Sequence, residues 1–286
     1  MNRDLEGKLR RLREALRSHP PALVAYSGGV DSTLLAVLAH QEWGDRMAAV
    51  VVASPLMPPR ELERAISISR SLGFPLQVVE TDELSLPGFR SNPPQRCYIC
   101  KRHRLTLLGE KARSGGWGAV MEGSNADDAA MHRPGRRANL ELGAVSPLEE
   151  AGLGKSDIRS IARELGLPNW DTPSRPCLAT RFPHGMKLDP ELIGKVDAAE
   201  EELERMGLRE FRVRVDAPGV ARIEVAEAEL EAVAGKDNRS RLVKKLRDLG
   251  FRRILLDLEG YRCGSMDEPH AGAPRRTLDI AEGMGG

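Results

Sequence analysis

The stretch Ala25-Tyr26-Ser27-Gly28-Gly29-Val30-Asp31-Ser32-Thr33 constrains this chain more than any other. An apolar run, Ala22 to Ala25, precedes it and predicts a buried strand. Leu34-Leu35-Ala36-Val37-Leu38-Ala39 follows and predicts a helix. A strand, a glycine-rich turn and a helix together aim backbone N–H groups and the positive end of a helix at a phosphate. Gly28 and Gly29 can take backbone angles closed to other residues and let an anion approach the main chain. Ser27, Ser32 and Thr33 add hydroxyl donors. The stretch lacks the G-x-x-x-x-G spacing and the lysine of a Walker A loop.

The 286 residues suit one large or two modest domains. Basic and acidic residues balance at 43 to 42, so no field steers a polyanion and nucleic acid is not the expected partner. Aromatics, at 4%, are too few for single-strand stacking platforms. No apolar run approaches the roughly 20 residues that span a bilayer. The charged, amphipathic start has no signal-peptide core, so a cytoplasmic protein is expected.

Leu5, Leu9, Leu12 and Leu16 predict a lead-in helix over residues 4–18. Strands are expected at 47–53, 76–79 and 119–122, with helices at 60–72 and 97–112 between them. Residues 82–95, rich in proline, and 123–137, polar, read as loops. Ser156 is expected to cap a helix ending near Leu165. Such alternation signals a Rossmann-like parallel α/β sheet, whose ligands sit beyond the strand C-termini. Past Trp170 the texture changes. A segment with Pro173, Pro176 and Pro183 leads to a helix at 190–206, strands at 211–215 and 221–225, a helix at 237–249 and a strand at 253–257. The expected division is 1–183, a nucleotide-binding domain; 184–265, a smaller α+β domain; and 266–286, a disordered tail.

Cys97-Tyr98-Ile99-Cys100 is a C-x-x-C, which by itself fits a zinc half-site, a redox pair or a cluster. Cys177, in the proline-rich segment, is the natural third member. Three thiolates suit a [4Fe-4S] cluster with one iron left open. Cys263 stands outside the pattern.

These residues carry a resemblance. The glycine turn is similar to the PP-loop, SGG-x-DS, of the ATP pyrophosphatases (the adenine nucleotide α-hydrolase-like fold). With Asn92-Pro93-Pro94-Gln95-Arg96-Cys97-Tyr98-Ile99-Cys100-Lys101, Glu122-Gly123-Ser124-Asn125-Ala126-Asp127-Asp128, Arg133-Pro134-Gly135, Ser146-Pro147-Leu148, Trp170-Asp171-Thr172-Pro173 and Cys177-Leu178-Ala179-Thr180-Arg181, the chain resembles the ATP-dependent sulfur transferases of the LarE type. The resemblance implies that ATP adenylates a carboxylate of pyridinium-3,5-biscarboxylic acid mononucleotide. Sulfur then displaces AMP, on the route to the nickel-pincer nucleotide cofactor. It implies a homo-oligomer as well. In single-cysteine members the position matching Cys177 gives up its own sulfur. The chain looks instead like the three-cysteine subgroup, with Cys97, Cys100 and Cys177 holding the cluster and sulfide or another donor supplying sulfur.

The resemblance also places Asp31 on the Mg²⁺ that accompanies ATP, and Ser27, Gly28, Gly29, Ser32 and Thr33 around the nucleotide. Lys101 is a candidate for phosphate or carboxylate contact. Arg212 and Arg214, two apart on one strand, share a face and resemble the pair that holds the substrate phosphate. Thr180 stands at the family's small hydroxyl position near that phosphate. Asn125 and Asp128 follow the fourth strand, near the nucleotide, where loop capping is an equal expectation. Glu200 and Glu224 are candidates for a metal in the second domain. Rival readings are a tRNA thiolase with a cluster, an amide-forming synthetase that captures ammonia, and a nucleotide-binding iron–sulfur sensor.

Overall fold

The computed structural model describes residues 3–130 and 134–262. In chain order it contains α1 (Arg3–Ser18), β1 (Leu23–Tyr26), α2 (Val30–Trp43), β2 (Ala48–Ala53), α3 (Pro59–Leu72), β3 (Leu76–Glu80), α4 (Arg96–Gly115) and β4 (Val120–Met121). There follow α5 (Ala126–Ala130), α6 (Pro134–Leu142), α7 (Pro147–Glu150), α8 (Lys155–Glu164) and α9 (Pro190–Arg205). The chain continues with β5 (Phe211–Ala217), β6 (Val220–Val225), α10 (Leu230–Ala234), α11 (Lys236–Asp248) and β7 (Arg253–Leu256).

The first four strands form one parallel sheet in the order β3-β2-β1-β4. Leu23, Val24 and residues Ala48 to Val52 are buried, because helices cover both faces of such a sheet and leave no polar side. α2 is buried nearly all round, through Val30, Leu34, Leu35 and Leu38. α1 buries only one stripe, Leu5, Leu12 and Leu16, against the same core. The second sheet runs β5-β6-β7; β5 and β6 are antiparallel, and β7 returns parallel to β6. α9 lays Ile193, Val196, Ala199 and Leu203 into its core. The architecture is therefore α/β, a parallel-sheet unit with a smaller second unit.

Three expectations need correction. Residues 82–95 hold two short 3₁₀ turns, Glu83–Ser85 and Phe89–Ser91, that put Leu84 and Phe89 into the second core. Asn92, in the left-handed region at φ 52°, donates from Nδ2 to the carbonyls of Phe182 and Pro183 at 3.1 and 2.9 Å. The segment thus stitches the two halves together. The expected loop 123–137 contains α5 and the start of α6. At α8 the cap is Gly154 and not Ser156: the Gly154 N–H donates to the Asp157 carboxylate at 3.1 Å. Among the described residues no helix is long and apolar enough to cross a membrane. Cys263, Arg133 and the expected tail lie outside the described residues.

Candidate active site

The turn after β1 is built by its own hydroxyls. Ser32 Oγ and Thr33 Oγ1 both donate to the Gly29 carbonyl, at 3.1 and 2.9 Å, and Ser32 Oγ accepts from the Ser27 N–H at 3.2 Å. Gly28 sits at φ 79°, and a Cβ on it would lie 3.0 Å from the Ala65 methyl of α3. Asn169, buried and unnoticed in the sequence, braces the turn from behind. Its Nδ2 donates to the Gly28 carbonyl at 2.8 Å and to Thr33 Oγ1 at 2.9 Å.

In front of the turn lies a cavity of about 330 Å³, lined by Ser27, Gly29, Asp31, Ser32, Lys101 and Asp128 among others. Asp31 Oδ2 accepts from Lys155 Nζ at 2.7 Å, while Oδ1 is buried with no hydrogen-bond partner among the described residues. An orphaned carboxylate oxygen beside a glycine turn has the chemistry to hold Mg²⁺. Lys101 Nζ is 2.9 Å from Glu122. Burial opposes ionisation of Glu122, yet Lys101 and the hydroxyls of Ser146 and Ser124 more than offset this and hold its carboxyl below the ordinary range. Asn125 does not reach the cavity: its Oδ1 accepts from the N–H groups of Asp127 and Asp128 and caps α5.

A second cavity, about 240 Å³, lies between the two sheets. Cys177, Arg104, Arg175, Arg181 and Arg212 line it, with Glu200. Arg175 is tied to Glu61 and Glu204 at 2.9 and 3.0 Å, and Arg181 to Glu200 at 2.7 Å. Arg212 has no carboxylate partner among the described residues. It donates to the Ser174 carbonyl at 2.7 Å, lies over the Tyr261 ring, and keeps a buried Nε without an acceptor among those residues. Burial, and then repulsion from Arg181, lower its pKa. Such a guanidinium is poised for an anion. Arg214 and Thr180 do not line the cavity; they meet behind it, where Arg214 donates to the Thr180 carbonyl at 2.8 Å. Thr180 Oγ1 in turn donates to the Cys177 carbonyl at 2.8 Å.

Glu200 and Glu224 both face arginines. Arg181 contacts both Glu200 oxygens, at 2.7 and 2.9 Å, and the Val213 N–H adds a third bond at 3.0 Å. Glu224 lies between Arg214, at 2.9 Å, and Arg222.

The three cysteines arrive from two directions. Cys97 and Cys100 are one turn apart at the start of α4; Cys97 is exposed and Cys100 half-buried. Burial pushes the Cys100 thiol up to about 12, and Cys177 lies close enough to add to that electrostatically. Cys100 Sγ donates to Glu83 Oε1 at 3.6 Å. Three thiols are suitable donor chemistry for an iron–sulfur cluster. Among the described residues no group of three His, Cys, Asp or Glu side chains is gathered to hold a metal.

No family model matches the chain. It is 38% identical over 263 residues to an uncharacterized protein of Synechocystis, covering 92% of this chain and 98% of that one. It is 37% identical over 256 residues to the pyridinium-3,5-bisthiocarboxylic acid mononucleotide synthase of Lactiplantibacillus plantarum, covering 89% of this chain and 91% of the other. One of the subunits of the glutamine-hydrolyzing GMP synthase of Pyrococcus furiosus is 31% identical over 243 residues, covering 77% of this chain and 75% of that subunit.

Proposed function

The chain belongs to the family of the pyridinium-3,5-bisthiocarboxylic acid mononucleotide synthase, a branch of the ATP-using PP-loop enzymes, and on that premise we propose that it is an ATP-dependent sulfur transferase. Its substrate is the pyridinium-3,5-biscarboxylic acid mononucleotide, one carboxylate of which becomes a thiocarboxylate on the way to the nickel-pincer nucleotide. The observation that carries this reading is the pair of adjoining cavities. One presents the glycine turn and Asp31; the other presents Cys177 and a buried Arg212 that has no carboxylate ion-pair partner among the described residues.

A carboxylate is a poor electrophile. Its oxygen attacks the α-phosphorus of ATP, pyrophosphate leaves, and the mixed anhydride that results carries AMP as a good leaving group. Sulfur then bonds to the acyl carbon and AMP departs with the electron pair. Asp31 would hold the Mg²⁺ that offsets phosphate charge. Lys101, on the wall of the nucleotide cavity, would meet phosphate oxygens once drawn from Glu122. Arg212 would bind the substrate's phosphate, with Arg214 and Thr180 fixing the wall behind it. A [4Fe-4S] cluster on Cys97, Cys100 and Cys177 would supply sulfide without consuming a cysteine. We place the reaction in a homo-oligomeric protein that does not act on nucleic acid.

The test is turnover of the purified, anaerobically reconstituted protein with ATP, Mg²⁺ and the biscarboxylate mononucleotide. Substrate-dependent pyrophosphate release and exchange of oxygen for sulfur in the product are expected. An unchanged protein mass after repeated turnover supports cluster-borne sulfur, whereas loss of one sulfur from Cys177 makes the cysteine the donor. Pyrophosphate release that ignores the substrate, or tight RNA binding at physiological salt, overturns the assignment.

A further inference from the structure

Four residues line both cavities: Tyr26, Ser27, Val52 and Arg104. Arg104 alone among them is charged. It follows Cys100 by four residues on α4 and so shares that face of the helix. Its guanidinium is fixed rather than loose. Nε donates to Glu83 Oε1 at 2.6 Å, and Nη2 donates to Ser54 Oγ at 3.0 Å, just past the end of β2. Nη1 has no protein acceptor among the described residues. Glu83 is fully buried, with Oε2 unpartnered, so Arg104 is the guanidinium that compensates it. The other arginines of the second cavity have different engagements: Arg60 with Asp197 and Glu204, Arg175 with Glu61 and Glu204, Arg181 with Glu200, Arg209 with Asp171, and Arg212 away from the glycine turn.

We propose that Arg104 is a catalytic residue of the adenylation step, its guanidinium standing at the junction of the two cavities to receive the oxygens of the reacting α-phosphate, with Glu83 and Ser54 as positioning residues. This rests on the reaction proposed above. There the bond from a carboxylate oxygen to the α-phosphorus forms as the bond to the bridging oxygen breaks, and pyrophosphate leaves with the electron pair. Two anions converge, and negative charge builds on the non-bridging oxygens at their meeting point. A cation already held there needs no rearrangement as that charge develops. The planar fork can contact two oxygens at once, which an ammonium group cannot reproduce.

The experiment is steady-state pyrophosphate release from the full-length, reconstituted protein with ATP–Mg²⁺ and the biscarboxylate mononucleotide. Arg104→Lys is expected to lower kcat by about 100-fold, the scale set by loss of one charge-stabilising donor. KM for either substrate should shift less than about threefold, as for a group that acts in the transition state alone. Arg104→Ala strands a buried carboxylate and risks misfolding, so the second variant is Arg104→Met with Glu83→Gln, which removes both charges. It should fold, bind ATP as the parent does, and be at least as slow as Arg104→Lys. Parental kcat in the double variant, or a loss confined to KM, overturns the role of Arg104 while leaving the reaction in place. A parent protein that releases no pyrophosphate in response to the mononucleotide overturns the reaction itself, and this role with it.

Discussion

Gly28 and Gly29 look interchangeable in the sequence, and they are not. Gly28 lies at φ 79°, where a side chain is strained, and its missing Cβ is what lets Ala65 of α3 approach. Gly29 has extended backbone, φ −73° and ψ 158°, and a Cβ there would meet only Ser27 Oγ at 3.4 Å. Gly28→Ala should therefore cost about 1–3 kcal/mol from the left-handed strain and the contact and weaken ATP binding at least tenfold. Gly29→Ala should unfold at nearly the parental temperature. Thermal unfolding and calorimetric titration with ATP–Mg²⁺ separate the two, and equal losses would show the distinction to be wrong. The motif was legible because five specified residues sit between a strand and a helix. Which glycine is indispensable was not, because that depends on where α3 lands. The same holds for Asn169, some 140 residues away, whose bracing of the turn leaves no local pattern.

At the scale of elements, α3 and α9 are joined across the second cavity by a network of ion pairs. Glu204 is its hub: it accepts from Arg64 at 2.7 Å and from Arg175 at 3.0 Å and pairs electrostatically with Arg60 at 3.0 Å, while Glu61 holds the other ends of Arg64 and Arg175. Arg60 also reaches Asp197. Networks of half-buried pairs are worth more than isolated surface pairs, though each link is modest. Glu204→Ala takes one of two carboxylate partners from three guanidinium groups at once. It should lower stability by about 1–2 kcal/mol and raise KM for the mononucleotide, since Arg175 then loses one of its two carboxylate anchors. Urea titration and steady-state kinetics measure the two effects; an unchanged KM would mean that Arg175 is held by Glu61 and the Phe211 ring alone. Long elements such as α1 and α9 were legible from a single apolar stripe each. α5 was not, being a five-residue helix set by the Asn125 cap, nor was α6, which starts on a proline, a glycine and two arginines. The 82–95 segment hid its packing too, because Leu84 and Phe89 serve a core that is completed 100 residues later.

For the whole molecule, burial of charge sets the response to acid. Glu83, Glu122 and Glu200 are all buried, and in each the penalty of burial is more than offset by a cation: Arg104, Lys101 and Arg181. None of these pairings could be read from sequence, because composition gives the balance of charges and not which ones meet inside. A carboxyl whose pKa is lower folded than unfolded contributes stability that is complete above its unfolded value. That contribution is lost as pH falls through the folded value. The unfolded value for these groups is near 4.5. Stability should thus be nearly flat from pH 7 to 5 and then fall, by about 1.4 kcal/mol per pH unit for each proton taken up on unfolding. Asp197 runs the other way: burial lifts its pKa above the ordinary 3.8, so acid relieves a cost there, but the carboxyls held low outnumber it. Urea midpoints at pH 7, 5, 4 and 3.5 test this. The Arg104→Met, Glu83→Gln pair removes one of the three buried carboxylates together with its cation, so its decline below pH 4.5 should be shallower than the parent's. A parental slope in that variant would mean that acid sensitivity resides in the exposed carboxylates, and that Glu83 is already neutral in the folded protein.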